Sequence, residues 1–371
     1  MFTPKFCPNP KCANHGIKTT EKPGKWYRKD GFYKTKATGT VQRFKCKSCK
    51  TRFSQQTFRL DYCVKKPISY ETIIKGLIST SNLSDIARRL EVSTPTIINR
   101  QRRLMVQAIA AHSILLPHTK TAEAFVCDGF QSMVVNFYYP NNINIVVGKK
   151  SQFLYAFNHS YVYRGGKLTT TQVEERNAYY QAWTPPAADV TSKFSELLSI
   201  IVDLHKTKKI HLITDLKPDY QKAIKEHPKI AEYIAANLFF HEKISSKEER
   251  TLRNPLFPVN YMDRQFRKDL AEHVIKSISF ARNTNNQMER MTIYRFYHNY
   301  LKKFRTRIKN HITHADVAGI DPMLRKKIVA AFFSERFFIT RVKPIETDMK
   351  ILRRAYATPL SDSQFIEKWC A

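Results

Sequence analysis

Residues 124–128 read Ala-Phe-Val-Cys-Asp, and residues 211–215 read His-Leu-Ile-Thr-Asp. Each is a short apolar run that ends on an aspartate. Such runs are too short for helices and rich in β-branched and aromatic residues, so they read as buried strands. Strand alternation puts Asp128 on the face of Val126, away from Phe125 and Cys127. Around the first run, residues 124–165 are rich in Val, Ile, Tyr and Phe. They are broken at Pro140-Asn141-Asn142 and Gly165-Gly166, which predicts antiparallel strands. Residues 191–206 open on Thr-Ser and continue as an amphipathic helix. From about 262 to 308 the pattern is helical and basic. Strands, a helix, a strand and then helices predict an α/β domain with a mixed sheet over residues 119–345.

Upstream, four of the seven cysteines form two close pairs, Cys7/Cys12 and Cys46/Cys49, with 33 residues between them. Each pair brings two thiolates to one point, and the two together make a closed four-sulfur site suited to a structural Zn²⁺. His15 is an alternative fourth ligand. The intervening residues 26–58 are aromatic and Thr-rich, with Gly31 and Gly39 at turns, as a small β zinc ribbon over residues 1–64 requires. Lys22, Lys29, Arg43 and other cations surround the pairs, interleaved with Trp26, Tyr27, Phe32, Tyr33 and Phe44. A basic face with aromatics suits a phosphate backbone. Cys63, Cys127 and Cys370 stand alone and read as plain thiols.

Residues 65–118 read as an all-α segment holding a helix-turn-helix. Leu83, Ile86, Ala87 and Leu90 predict the buried side of a first helix, Glu91-Val92-Ser93 the turn, and Thr94-Pro95 the start of a second. Glu91 stands where glycine is common, so strain is expected there. On the second helix Thr96, Asn99, Arg100 and Arg103 fall on one side, the face that enters a major groove and touches DNA.

Charge supports a nucleic-acid partner. The chain has 371 residues, with 63 Lys and Arg against 31 Asp and Glu, a net charge of +32. Residues 1–70 alone hold 17 of those cations and 3 of the acids. An excess of this size points to a polyanion. No apolar run approaches the ~18 residues needed to span a bilayer, and no secretory signal is visible. A cytoplasmic, nucleoid-associated protein without a membrane partner is expected. Residues 346–371 read as a C-terminal tail.

Two aspartates ending neighbouring strands are placed to share Mg²⁺, and a pair of such ions can clamp both oxygens of a phosphodiester displacement. Glu289, in a helix capped by Asn285 or Asn286, offers the third carboxylate; Asp263, Asp269 and Glu272 are rivals. Arg264, Arg267, Lys268, Arg295, Lys302, Lys303 and Arg305 are expected to line DNA nearby.

A zinc ribbon, a helix-turn-helix and an Asp…Asp…Glu domain in that order resemble the DDE-type transposases of bacterial insertion sequences. The stretches that carry the likeness are CPNPKCANHG (7–16), residues 24–54, SDIARRLEVSTPTI (84–97), LITD (212–215), ARNTNNQMER (281–290) and RFYHNYLKK (295–303). It covers roughly residues 5 to 310. The resemblance implies a ribonuclease H-like catalytic fold and two catalytic Mg²⁺ ions held by Asp128, Asp215 and Glu289. It further implies cleavage and strand transfer on double-stranded DNA, at element ends and at a target. The 73 residues between Asp215 and Glu289 imply an inserted segment. A homodimer or higher oligomer is expected on DNA. Two other readings stay open: a non-enzymatic DNA-binding transcriptional regulator, and a nuclease of the same fold without strand transfer.

Overall fold

In the computed structural model, the structure describes residues 2–16, 25–36, 38–120, 123–205, 209–274, 279–307 and 311–359. Lys22, Cys370 and residues 360–371 of the expected tail lie outside the described residues.

The N-terminal sheet is antiparallel, in the order β1 (Tyr27–Thr35), β2 (Gly39–Cys46) and β3 (Arg52–Ser54). Gly39 turns the first hairpin at φ +68. Trp26, Phe44, Phe53 and Phe58 form its core. Three helices follow: α1 (Tyr70–Leu77), α2 (Leu83–Arg89) and α3 (Thr94–Leu115). The turn between α2 and α3 holds Glu91 at φ 52, the strain expected there. The cap of α3 is Ser93 rather than Thr94, with Pro95 in the first turn.

The second sheet contains β4 (Phe125–Val134), β5 (Asn136–Gly148) and β6 (Leu154–Tyr161). After α4 (Thr170–Ala182) and α5 (Val190–His205) come β7 (Ile210–Asp215), α6 (Pro218–Glu226), α7 (Pro228–Ala235) and β8 (Phe239–Ile244). The strand order is β6-β5-β4-β7-β8. β5 pairs antiparallel with both neighbours, whereas β4, β7 and β8 run parallel. The sheet is therefore mixed, as expected. The remaining helices are α8 (Phe257–Asp269), α9 (Thr284–Phe296), α10 (His314–Val317), α11 (Pro322–Ser334) and α12 (Glu346–Leu352), with a π-turn at Tyr297–Leu301 directly after α9.

The sheet is covered on both faces. Phe125 packs edge-on against His205 of α5, and Asn158 donates to the Lys193 carbonyl of the same helix. Phe130, of opposite parity to Phe125, packs on Phe266 of α8. Asp128 shares the parity of Phe130 and so faces the α8 side.

The expected boundary between residues 118 and 119 falls within one shared core. α3 runs unbroken from the turn into the main core, where Leu104, Ala108, Ile109, Ala111 and Leu115 are buried. Small residues there let α9 pack closely, and His112 is hydrogen-bonded to Tyr300 at 2.8 Å. One apolar core consequently extends from Leu60 to Tyr356. Residues 346–359 are likewise no loose tail. Asp348 of α12 is buried and accepts two hydrogen bonds from Arg295, at 2.9 and 2.7 Å. No described helix is long and apolar enough to cross a membrane.

Candidate functional site

Cys7, Cys12, Cys46 and Cys49 bring their sulfurs within 4.8 Å of one another. Cys7 and Cys49 are 3.6 Å apart, and Cys12 and Cys46 3.8 Å. A regular tetrahedron with metal–sulfur bonds of about 2.3 Å has edges of about 3.8 Å, so the four sulfurs fit one tetrahedral ion. The second pair sits in a tight turn: Lys50 N donates to the Cys46 carbonyl and Cys46 N to that of Thr51. Asn14 donates to the Cys46 sulfur at 3.4 Å. His15 is no ligand, because its ring nitrogens lie 2.7 Å from the Cys7 carbonyl and 2.9 Å from Thr340 Oγ1. Of the interleaved aromatics, Trp26 and Phe44 are spent on the ribbon core, while Phe32 is 63% exposed. Lys29 is exposed, and Arg43 is half-buried with its guanidinium 6.0 Å from the Tyr33 ring.

The second helix of the helix-turn-helix presents less than its sequence implies. Asn99 is exposed and Thr96 half-buried. Arg100 is only 7% exposed, and its guanidinium lies 5.9 Å from the Tyr70 ring. Arg103 donates to the Leu60 and Tyr62 carbonyls, at 3.0 and 2.7 Å, and stacks on Tyr62. Arg100 packs on the first residue of α1 and Arg103 binds the segment before it, so of the expected shared exposed face only Asn99 is exposed and Thr96 half-exposed. Arg295, expected near DNA, is equally buried in its pair with Asp348.

β4 and β7 pair through Phe125↔Leu212 and Val126↔Ile213, and continuing that register sets Asp128 beside Asp215. The Asp128 carboxylate accepts from Gly129 N at 2.6 Å, and that of Asp215 from Lys217 N at 2.9 Å. A Cβ on Gly129 would stand 2.4 Å from Asn142 Oδ1, so any larger residue there must displace the Asn142 side chain. Burial pushes the Asp128 carboxyl up to about 6; the Gly129 hydrogen bond opposes this and the Asp215 charge adds to it.

The third acid in this field is Asp263 of α8, a helix that packs on β4 and β5. Burial and the Asp128 charge push its carboxyl up to about 8, against Arg267 and Arg250. Its Oδ1 is buried without a hydrogen-bond partner among the described residues. A buried carboxylate oxygen left unpaired is costly unless a proton or cation meets it. The other acids are engaged elsewhere. Asp269 accepts from Tyr294 at 2.7 Å, and Glu272 pairs with Arg290 at 2.8 Å. Glu289 is fully buried, paired with Arg354, 3.3 Å from Gln101 Nε2 and 3.9 Å from Arg102. The cap of α9 is Asn283, not Asn285 or Asn286, so Glu289 sits in the second turn. Glu289 is therefore held away from the two aspartates, and the other acid that feels the Asp128 charge is Asp263. Among the described residues, only the four cysteines bring three or more ligand atoms within 4.8 Å.

No family model matches the chain, and no curated protein matches it.

The signal for Asp263 lies in its position on α8. Val259, Met262 and Phe266 form the buried stripe of that helix, and Asp263 follows Val259 by four residues and precedes Phe266 by three. An ionisable group on a helix's core face asks for a partner.

Proposed function

We propose that this chain is a DDE-type DNA transposase, with the ribbon cysteines holding Zn²⁺ and Asp128, Asp215 and Asp263 serving as the catalytic acids. The observation that carries the reading is the pair Asp128 and Asp215 at neighbouring strand ends, faced from α8 by Asp263, whose buried Oδ1 has no partner among the described residues and which feels the Asp128 charge. The mixed sheet with a single antiparallel strand inside it supports a ribonuclease H-like fold. Asp128, Asp215 and Asp263 would hold the divalent ions, which when bound would supply Lewis acidity for in-line displacement at phosphorus. The residues themselves fix the geometry. Gly129 N and Lys217 N hold one oxygen each of Asp128 and Asp215, leaving the others to face a cation. Hydrolysis breaks a P–O3′ bond, with water adding to phosphorus and the departing oxygen leaving as a 3′-hydroxyl. That hydroxyl then displaces a 3′-oxygen from a target phosphodiester and gives its proton to the leaving group. Asn99, Thr96 and the ribbon cations, Lys29 and Arg43 among them, bind the element-end duplex.

The test is a labelled duplex carrying the ends that flank the gene, incubated with Mg²⁺ or Mn²⁺ and scored separately for nicking and joining. The reading expects both products, each lost in Asp128→Asn, Asp215→Asn and Asp263→Asn. Nicking without joining makes the protein a nuclease. Neither product, with DNA binding intact, leaves it a regulator.

A further inference from the structure

Residues 302–307 read Lys-Lys-Phe-Arg-Thr-Arg. α9 continues through its π-turn to Leu301, and the chain then folds back on itself. Lys303 pairs antiparallel with Thr313, and Phe304 N donates to the Ile312 carbonyl at 2.8 Å. With Tyr261 of α8 this segment lines a cavity of about 460 Å³. Lys302 is its fixed element. Its Nζ donates to Gln265 Oε1 at 2.5 Å and lies 5.6 Å from the Tyr261 ring. Burial lowers its ammonium to about 8, so an anion beside it would be doubly welcome. Lys303, Arg305 and Arg307 are exposed, and no ion pair engages any of them among the described residues. Four cations thus border one concavity whose lining holds no carboxylate, with Asp269 the acid whose charge reaches Lys302 from behind.

We propose that this cavity seats backbone phosphate of DNA, as a second contact on the far side of α8 from the acids. The proposal rests on DNA being the substrate. Tyr261 and Gln265 lie two residues either side of Asp263, about 200° around a helix of 3.6 residues per turn. The cavity and the acids therefore flank opposite sides of the same helix, whose diameter with side chains is about 10–12 Å. Lys302 gives a directed contact, and the three flexible cations adapt to the backbone. None of these groups reads a base, so the contact is independent of sequence.

The experiment uses the full chain, with a variant carrying Lys303→Ala, Arg305→Ala and Arg307→Ala. A second variant keeps charge through Lys303→Arg, Arg305→Lys and Arg307→Lys. Duplex affinity is measured by anisotropy over a salt series, with melting curves to show that each variant folds. Each phosphate contact contributes about 0.9 to the slope of log affinity against log salt. The alanine variant should lose about 1–2 from that slope, and the charge-keeping variant should hold it. An unchanged slope in a folded alanine variant overturns the proposal. So does a rise in melting temperature with inorganic phosphate that the alanine variant lacks while its DNA slope is unchanged, because the site then belongs to a free anion. Metal-dependent nicking by wild type is scored in parallel. A lost slope without any nicking defeats the catalytic reading and keeps the cavity; nicking with an unchanged slope does the reverse.

Discussion

Asp263 places an ionisable carboxyl beside the apolar stripe that its helix buries, and this one residue makes several properties of the molecule testable. Its carboxyl has an ordinary value of 3.8 and is raised to about 8 in the fold. The native state therefore binds that proton more tightly than the unfolded chain does. Its contribution to stability is full below about pH 4 and is lost as pH rises toward about 8. Asp128, raised to about 6, adds a loss over the lower part of the same window. With chelator present, the melting temperature should fall between pH 5 and 8, Asp263→Asn should flatten the fall, and Mg²⁺ should restore stability at pH 8. A flat wild-type profile would contradict the burial of this acid against Asp128. Glu289 behaves differently because its carboxylate is already paired with Arg354. Glu289→Gln should keep metal-dependent nicking and alter stability by about 1–3 kcal/mol, the scale of a disturbed buried polar contact. Lost nicking in a stable Glu289→Gln protein would return the third place to Glu289.

The helix α3 shows what periodicity reveals and what it conceals. Pro95 and the strained Glu91 marked its start, and both stand where the sequence put them, with the cap one residue earlier. Thr96, Asn99, Arg100 and Arg103 do share a side of the helix, yet that side is divided by what packs on it. Tyr70 and the Leu60–Tyr62 carbonyls lie distant in sequence, and they claim the two arginines. A similar claim removes Arg295, which Asp348 holds from a helix 50 residues on. Strand elements were more legible, since AFVCD and HLITD needed only length and alternation to be read. The choice among third acids turned on partners that no local pattern displays: Tyr294 for Asp269, Arg290 for Glu272, Arg354 for Glu289. The consequence for α3 can be measured. Asn99→Ala should cost about 1–3 kcal/mol of discrimination between element-end and scrambled duplexes. Arg103→Ala should instead lower the melting temperature and weaken both duplexes alike, because it frees two carbonyls and a ring rather than a base contact. A specificity loss in a fully stable Arg103→Ala would restore that residue to base reading.

At the scale of the molecule the described residues form two apolar cores, a large one around the mixed sheet and α3, and a small aromatic one around the ribbon. The small core is not self-sufficient. Phe338, from the segment after α11, packs on Phe6 and Phe58. Around it, Arg336 N donates to the Phe58 carbonyl at 2.8 Å, Arg59 bridges to Glu335, and His15 reaches Thr340. A sheet of three short strands buries little surface, so a metal bound by the four cysteines supplies folding energy to it. Cys46→Ser should therefore lose the ion and loosen the ribbon, and the loosening should reach Phe338, which packs on the ribbon core, but fade at Phe337 and Ile339, which pack on the large core. It should stop there, because β4, β7 and α3 draw on the large core. Elemental analysis together with hydrogen exchange tests this. Faster exchange is expected over residues 25–58, with β4 and β7 protected as in wild type and Phe337 held by Gln107 of α3. Stoichiometric metal in the Cys46→Ser protein would remove Cys46 from the site. Exchange that spread into β4 and β7 would mean that the two cores fold as one.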